Sequence, residues 1–249
     1  MLSLIGLGIC NDLTEHARKV IKKASSVYVE YYTNWLPPDE ELNRIIGKGF
    51  IKADREMIEQ KGDEIIAKAK EEDIVILFPG DPLSATTHID LLLRAKKVGV
   101  KTEVIHNSSI FTAIAKTGLQ LYKFGKTASI PFPSPGFRPE SPFKTFLENQ
   151  SVKAHTLFLL DILPEEDKFM TPNEAISLLL EAEKSLNSTI LTKDTLCVGC
   201  SRLGMDGEEI IAGTMEGVAK YVFKQPPYCL IIPSDMHFTE EEMLDAHRR

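Results

Sequence analysis

Cysteine and surplus positive charge are scarce in this chain, and long apolar runs are missing. Four cysteines, at positions 10, 197, 200 and 229, are too few and too scattered for a disulfide framework. They suit a reducing compartment, so a cytoplasmic protein is expected. The 29 basic residues are outnumbered by 36 acidic ones, for a net charge of −7 over 249 residues. That balance provides no bulk field for wrapping nucleic acid or docking on anionic lipid. No apolar stretch approaches the roughly 18 residues of a membrane span. Residues 1–6 also lack the basic start of a signal peptide. Nucleic-acid and membrane partners are therefore not expected. The chain has no H-E-x-x-H, no G-x-S-x-G and no G-x-x-x-x-G-K-[ST], and its six histidines do not cluster with carboxylates. A metal centre, a hydrolase elbow and a P-loop are not expected either.

What is present is apolar content, 43% of the chain, enough for one large or two small domains. Strand-like and helix-like stretches alternate in the first half. Strands are expected at 2–8, 27–32, 73–78 and 101–105, and helices at 16–24, 65–70, 89–97 and 110–116. This is the pattern of a parallel sheet covered on both faces. Five prolines between positions 131 and 142 then interrupt the pattern, since neither a helix interior nor a central strand tolerates them. Beyond them a strand at 156–160 precedes a helix with Thr171 as its cap and Pro172 at its first position, running to about Lys184. Strands at 195–200, 208–212 and 228–232 complete a mixed second half. The expected division is residues 1–115 and 116–249. The acidic tail from Phe238 reads as a solvated helical face.

Three strand ends carry candidate sites. Gly6-Leu7-Gly8-Ile9 follows the first strand, and glycines there let a ligand approach the backbone. A dinucleotide fingerprint would use Glu30 as its acidic partner, but Asn11 stands where the third glycine belongs. Pro79-Gly80-Asp81-Pro82-Leu83-Ser84 ends a buried strand. The Asp81 carboxylate can accept bonds from a ligand's ammonium or ribose hydroxyls, or it can simply form the turn and cap the next helix. His106-Asn107-Ser108-Ser109-Ile110 repeats the strand–polar turn–helix arrangement, with an ordinary N-cap as the alternative. Cys197-Val-Gly-Cys200 has redox or half-zinc spacing but no second pair nearby, which favours a structural role.

Taken together, Gly6-Leu-Gly8-Ile-Cys-Asn-Asp12-Leu-Thr14, Pro79-Gly80-Asp81-Pro82 and the strand-end Ser109 resemble the tetrapyrrole-methylase class of S-adenosylmethionine enzymes. Within that class the chain is similar to the diphthine synthase family. That narrower likeness extends through Ala53-Asp54-Arg55, Gly80-Asp81-Pro82-Leu83-Ser84-Ala85-Thr86-Thr87-His88, Val104-Ile105-His106-Asn107-Ser108-Ser109-Ile110, residues 118–125, Arg138-Pro139-Glu140-Ser141, residues 155–162 and Cys197-Val198-Gly199. It spans residues 1–232 in chain order, and residues 118–125 look more eukaryotic than archaeal. The resemblance implies an α/β, two-domain methyltransferase, a homodimer, with S-adenosyl-L-methionine folded in a cleft between domains and S-adenosyl-L-homocysteine as product. It implies a protein substrate, elongation factor 2, at a histidine already carrying a 3-amino-3-carboxypropyl group. Three N-methyls plus a carboxylate methyl ester would be added. By position, the implied cofactor contacts are Ile9, Asp81, Ser84, Ser109 and Ile110 in the first half, and Leu160, Leu203 and Tyr228 in the second. Tyr228 stands where relatives often have His, and residues 163–169 are shorter than the insert of many eukaryotic members, so no substrate contact is carried over there. No catalytic acid or base is implied. A tetrapyrrole C-methyltransferase and a non-catalytic partner of the translation factor are the alternatives. The long match beyond the shared motifs counts against the first, and cofactor binding would separate the second.

Overall fold

Continuous apolar strands alternate between two cores in the first part of the chain. The computed structural model describes residues 1–248, Glu165 by its backbone alone. It divides into two units, Met1–Ala113 and Ile114–Arg249.

The first unit holds β1 (Leu2–Gly6), α1 (Glu15–Lys23), β2 (Ser26–Glu30), α2 (Asp39–Ile46), β3 (Ile51–Ala53), α3 (Gly62–Lys68), β4 (Ile74–Phe78), α4 (Ile89–Lys97), β5 (Thr102–Ile105) and the short α5 (Ile110–Ala113). The strands form one parallel sheet in the order β3-β2-β4-β1-β5. Leu2, Leu4, Ile74, Ile76 and Phe78 pack with Ile65 of α3 and Leu91 and Ala95 of α4. Their neighbours Ile5, Val27, Val29, Val75 and Leu77 pack on the other face with Ala17 and Ile21 of α1 and Leu42 and Ile46 of α2. A sheet covered twice needs apolar residues at successive positions, which is why these strands read as unbroken hydrophobic runs. All turns at the carboxyl ends of these parallel strands emerge at one edge.

The second unit contains β6 (Ala128–Ile130), α6 (Ser141–Ser151), β7 (Thr156–Leu160), β8 (Ile162–Leu163), β9 (Lys168–Phe169), α7 (Pro172–Leu186), β10 (Leu196–Ser201), β11 (Glu209–Thr214), α8 (Met215–Lys220), β12 (Tyr228–Ile232) and α9 (Phe238–Asp245). Its main sheet has the order β11-β10-β12-β7-β6, antiparallel except for the β6–β7 pair. Phe143, Phe146, Phe158, Ile176, Leu179 and Leu230 centre its core. Thr171 and Glu174 form a capping box at the start of α7, with Pro172 inside the first turn.

Several expectations change. The strand expected over 27–32 stops at Glu30, because that carboxylate takes the N–H groups of Tyr32 (2.7 Å) and Thr33 (2.6 Å) and turns the chain. The helix expected over 110–116 is α-helical only to Ala113 and tightens to a 3-10 turn over Ile114–Thr117, whose Thr117 hydroxyl donates to the Ile114 carbonyl. The proline-rich break ends early: α6 begins at Ser141 and takes Pro142 into its first turn, where an N–H has no intrahelical acceptor anyway. The acidic tail is helical and largely exposed, as expected, but not throughout. It forms α9, in which Leu244 is buried and Glu240 is wholly inaccessible.

Candidate functional site

Strands β4, β1 and β5 are neighbours, so the three turns singled out in the sequence lie side by side. The first two are stitched together by backbone bonds, from Gly8 N to the Gly80 carbonyl (2.9 Å) and from Gly80 N to the Gly8 carbonyl (3.3 Å). Both glycines have left-handed φ values, +72° and +68°. A Cβ on Gly6 would sit 2.5 Å from the Gly80 carbonyl oxygen and 2.9 Å from Asn107 Cβ. One on Gly8 would meet the Asn107 amide at 2.9 Å. The close approach that demands glycine here is therefore made by the protein to itself.

The third turn locks onto the first. Asn107 Nδ2 donates to the carbonyls of Gly6 (3.1 Å) and Asp12 (2.6 Å), and Ile9 N donates to Ser108 Oγ (3.0 Å). Gly6→Ala should therefore lower stability by about 1–3 kcal/mol, because the added methyl has to displace backbone rather than a flexible side-chain end. Gly49, whose Cβ position faces open space, is the control. Chemical denaturation should place Gly49→Ala within about 0.5 kcal/mol of the parent. Equal losses in the two variants would show that the turns are not tightly interlocked.

Asp81 is 5% exposed and binds the second turn to the third. Its Oδ1 accepts from Leu83 N (2.9 Å) and Ser84 Oγ (3.1 Å), its Oδ2 from Asn107 N (3.1 Å) and His106 Nδ1 (2.8 Å). Four donors fill the lone-pair positions of one carboxylate. Burial alone would raise its pKa, but these four bonds outweigh burial and hold it below the usual aspartate range. The carboxylate is thus ionised and occupied, and it shapes the turns. An ionised carboxylate only accepts, so the proton of this contact lies on His106 Nδ1. The imidazole itself is 66% exposed, and Nε2 has no partner among the described residues.

The other expected residues fall into two groups. Ile9 and Ile110 are half-buried beside these turns, and Ser84 is engaged with Asp81. Ser109 is 7% exposed, and its hydroxyl has no partner among the described residues. In the second unit Leu160 ends β7, Tyr228 opens β12 opposite Ser201, and Leu203 lies just past the end of β10. Because β12 runs antiparallel to both neighbours, these three share one end of that sheet. Leu160 and Leu203 are buried, and Tyr228 is half-buried. Burial and the nearby Glu209 push the Tyr228 phenol's pKa up.

Two further polar side chains near these turns are buried, His88 and Glu30. His88 packs on Phe78 (4.2 Å between ring centroids), with Nδ1 toward the Pro82 carbonyl (3.3 Å) and Nε2 toward the Tyr32 hydroxyl (3.4 Å). Burial drives its pKa down to about 4, so a neutral ring backs the Asp81 turn. Glu30, the candidate ribose partner of a dinucleotide, is fully buried and occupied by Tyr32 and Thr33. Cys197 and Cys200, three positions apart on β10, face opposite sides of the sheet, and Cys200 lies across from Cys229. All three thiols are buried. Among the described residues, no three His, Cys, Asp or Glu side chains gather in a way that could hold a metal ion, and no helix is long and apolar enough to cross a membrane.

Residues 1–219 match the family model of tetrapyrrole (corrin/porphyrin) methylases. A diphthine synthase of Methanocaldococcus jannaschii is 41% identical over 250 residues, 98% of this chain and 97% of that protein. A "probable diphthine methyl ester synthase" of Arabidopsis thaliana is 40% identical over 272 residues, 100% of this chain and 98% of the relative. A crystal structure of diphthine synthase superposes with a TM-score of 0.89 at 33% identity, covering 99% of this chain and 95% of the other. The chain thus belongs to the tetrapyrrole methylase family, within its diphthine synthase branch, and is an S-adenosylmethionine-dependent methyltransferase.

Proposed function

We propose that this enzyme methylates the 3-amino-3-carboxypropyl group already attached to a histidine of elongation factor 2, a step of diphthamide biosynthesis. It adds three methyls to the amine and a fourth, as an ester, to the carboxylate. The observation that carries this reading is likeness along the whole chain, at 40% and 41% identity, to proteins named for that chemistry. The enzyme works in the cytoplasm as a homodimer, with S-adenosyl-L-homocysteine as its second product.

The donor set suits S-adenosylmethionine. Ser109 offers a nearly buried hydroxyl without a partner among the described residues, and the rigid Ile9, Asp81–Ser84 and Ser109–Ile110 turns present backbone groups at one sheet edge. In the second unit, Leu160, Leu203 and Tyr228 offer two apolar side chains and one phenol at one end of its sheet. When bound, the cofactor supplies a methyl on a sulfonium, whose leaving group is a neutral thioether. Such a displacement needs alignment more than charge stabilisation, and interlocked turns provide alignment. The carboxylate acceptor is already ionised near neutral pH and needs no base. The amine must lose a proton before each attack.

Mass spectrometry of elongation factor 2 after incubation with enzyme and cofactor tests each part. Four methyls on the modified histidine are expected, and none on the unmodified factor, which offers neither acceptor. Three methyls only would remove the ester step. Equal methylation of the unmodified factor would overturn the substrate. Light scattering returning only the 27.8 kDa monomer mass would overturn the dimer.

A further inference from the structure

Resting on that reading, we infer that His106 is the general base that takes the proton from the acceptor ammonium before each N-methylation. The imidazole has the two attachments such a base requires. Asp81 Oδ2 holds Nδ1–H at 2.8 Å and fixes the tautomer, and Nε2, without a partner among the described residues, keeps its lone pair on a two-thirds exposed ring that a macromolecular substrate can reach. The anchoring carboxylate is itself nearly inaccessible and fastened by three further donors, Leu83 N, Ser84 Oγ and Asn107 N, so the ring is oriented by a rigid support. The dyad also lies in the turn that leads to Ser109 and Ile110, two of the proposed cofactor contacts, and is tied directly to the turn carrying Asp81 and Ser84.

The step balances. His106 Nε2 accepts the ammonium proton and becomes an imidazolium paired with Asp81. The freed nitrogen lone pair forms a bond to the transferred methyl carbon while the carbon–sulfur bond breaks, its electron pair staying on sulfur. The exposed imidazolium then returns its proton to solvent. The same sequence serves the primary, secondary and tertiary amine, each of which begins protonated. The carboxylate step bypasses it. Charged and titratable groups on the neighbouring elements include Asp81 on the turn after β4, Asp12 on the turn after β1, the His16–Glu103 pair of α1 and β5, joined at 2.9 Å, and the other charged residues of α1, Glu15, Arg18, Lys19, Lys22 and Lys23.

His106→Asn is the informative variant, because its amide can still donate to Asp81 but offers no base. Single-turnover N-methylation at pH 7 should fall at least 30-fold, with affinity for S-adenosylhomocysteine in calorimetry within twofold of the parent. The deficit should shrink steadily toward pH 9, as solvent frees more of the acceptor amine. Ester formation on a separately prepared trimethylated substrate should proceed at the parental rate. A parental N-methylation rate in the variant, or a deficit that stays the same from pH 7 to pH 9, overturns the assignment. One readout is independent of turnover: nitrogen-15 NMR of the parent protein should find the His106 proton on Nδ1, and a proton on Nε2 instead also overturns it. If the parent enzyme itself leaves the modified factor unmethylated, the substrate reading fails, whereas a slow His106→Asn beside an active parent bears on the base alone.

Discussion

Replacing Glu240 with glutamine should cost the folded protein about 3 kcal/mol at pH 7 and lower its melting temperature by roughly 6–12 °C. Glu240 has no accessible surface, yet its carboxylate accepts four bonds. Gln120 N (2.8 Å) and His155 Nε2 (3.1 Å) donate to Oε1; Lys123 Nζ (2.5 Å) and His237 N (2.7 Å) donate to Oε2. Burial would raise the pKa of this group, but the four donors prevail and hold it at about 2. Burial lowers the pKa of His155, and its Nδ1 accepts from Ser234 N (2.9 Å), so the ring is neutral with its proton on Nε2. The ion pair proper is Lys123 with Glu240. A glutamine would turn an amide NH2 toward two of these donors, leaving at least one backbone N–H unpaired in the interior. A folded pKa below the unfolded one means that the stabilisation is complete above about 4.5 and is lost as the pH falls toward 2. Melts of parent and Glu240→Gln should therefore converge on acidification through that window. A gap of constant size from pH 7 down to pH 3 would show that ionisation of Glu240 contributes nothing.

That cluster shows where sequence reading loses its grip. Strands β1, β2 and β4 were legible because burial on both faces writes a continuous apolar run, whereas β3, with Ile51 and Lys52 exposed, carries no such signal; α4 was legible to the residue as a Leu-rich stretch with Leu91 and Ala95 at helical spacing. In Glu240-Glu241-Glu242 the pattern says solvent, yet the first carboxylate turns inward to meet residues 120, 123 and 155, about a hundred positions away in the chain. No local period encodes such a contact. The prolines near 131–142 hid α6 altogether, since Pro142 breaks a helix interior but is at home in a first turn. At the site, the three turns and their residue types were readable, because strand-end glycines and small polar residues mark them. What occupies the space beside those glycines was not. Gly6 and Gly8 are required by Gly80 and Asn107, and the His106–Asp81 pair joins positions 25 residues apart that only the sheet order makes adjacent.

Asp81→Asn should weaken cofactor binding at least tenfold, about 1.4 kcal/mol or more, while leaving a folded protein. The carboxylate is symmetric in function: Oδ1 gathers Leu83 and Ser84 within its own turn, and Oδ2 gathers His106 and Asn107 from the next. Asparagine keeps one acceptor and replaces the other with a donor. With its oxygen toward Leu83 and Ser84, the amide NH2 confronts the Asn107 N–H and the His106 Nδ1–H, and the second and third turns part. With the amide reversed, the turn holding Ser84 loosens instead. Either way, proposed contacts on the Asp81–Ser84 turn shift against those at Ser109 and Ile110. His106 can relieve its own clash by moving its proton to Nε2, which leaves Nδ1 free to accept from the amide but removes the lone pair at the exposed nitrogen. The backbone N–H of Asn107 has no such escape. Affinity should therefore fall because the turns lose alignment, even though the carboxylate's own bonding sites are all filled by protein donors. Asp81→Ala, which removes both acceptors, should weaken binding further. Calorimetry with S-adenosylhomocysteine on folded Asp81→Asn decides the matter: parental affinity would mean that the cofactor site does not depend on the register of these turns, whereas a tenfold loss with a retained melting transition ties cofactor binding to that one carboxylate.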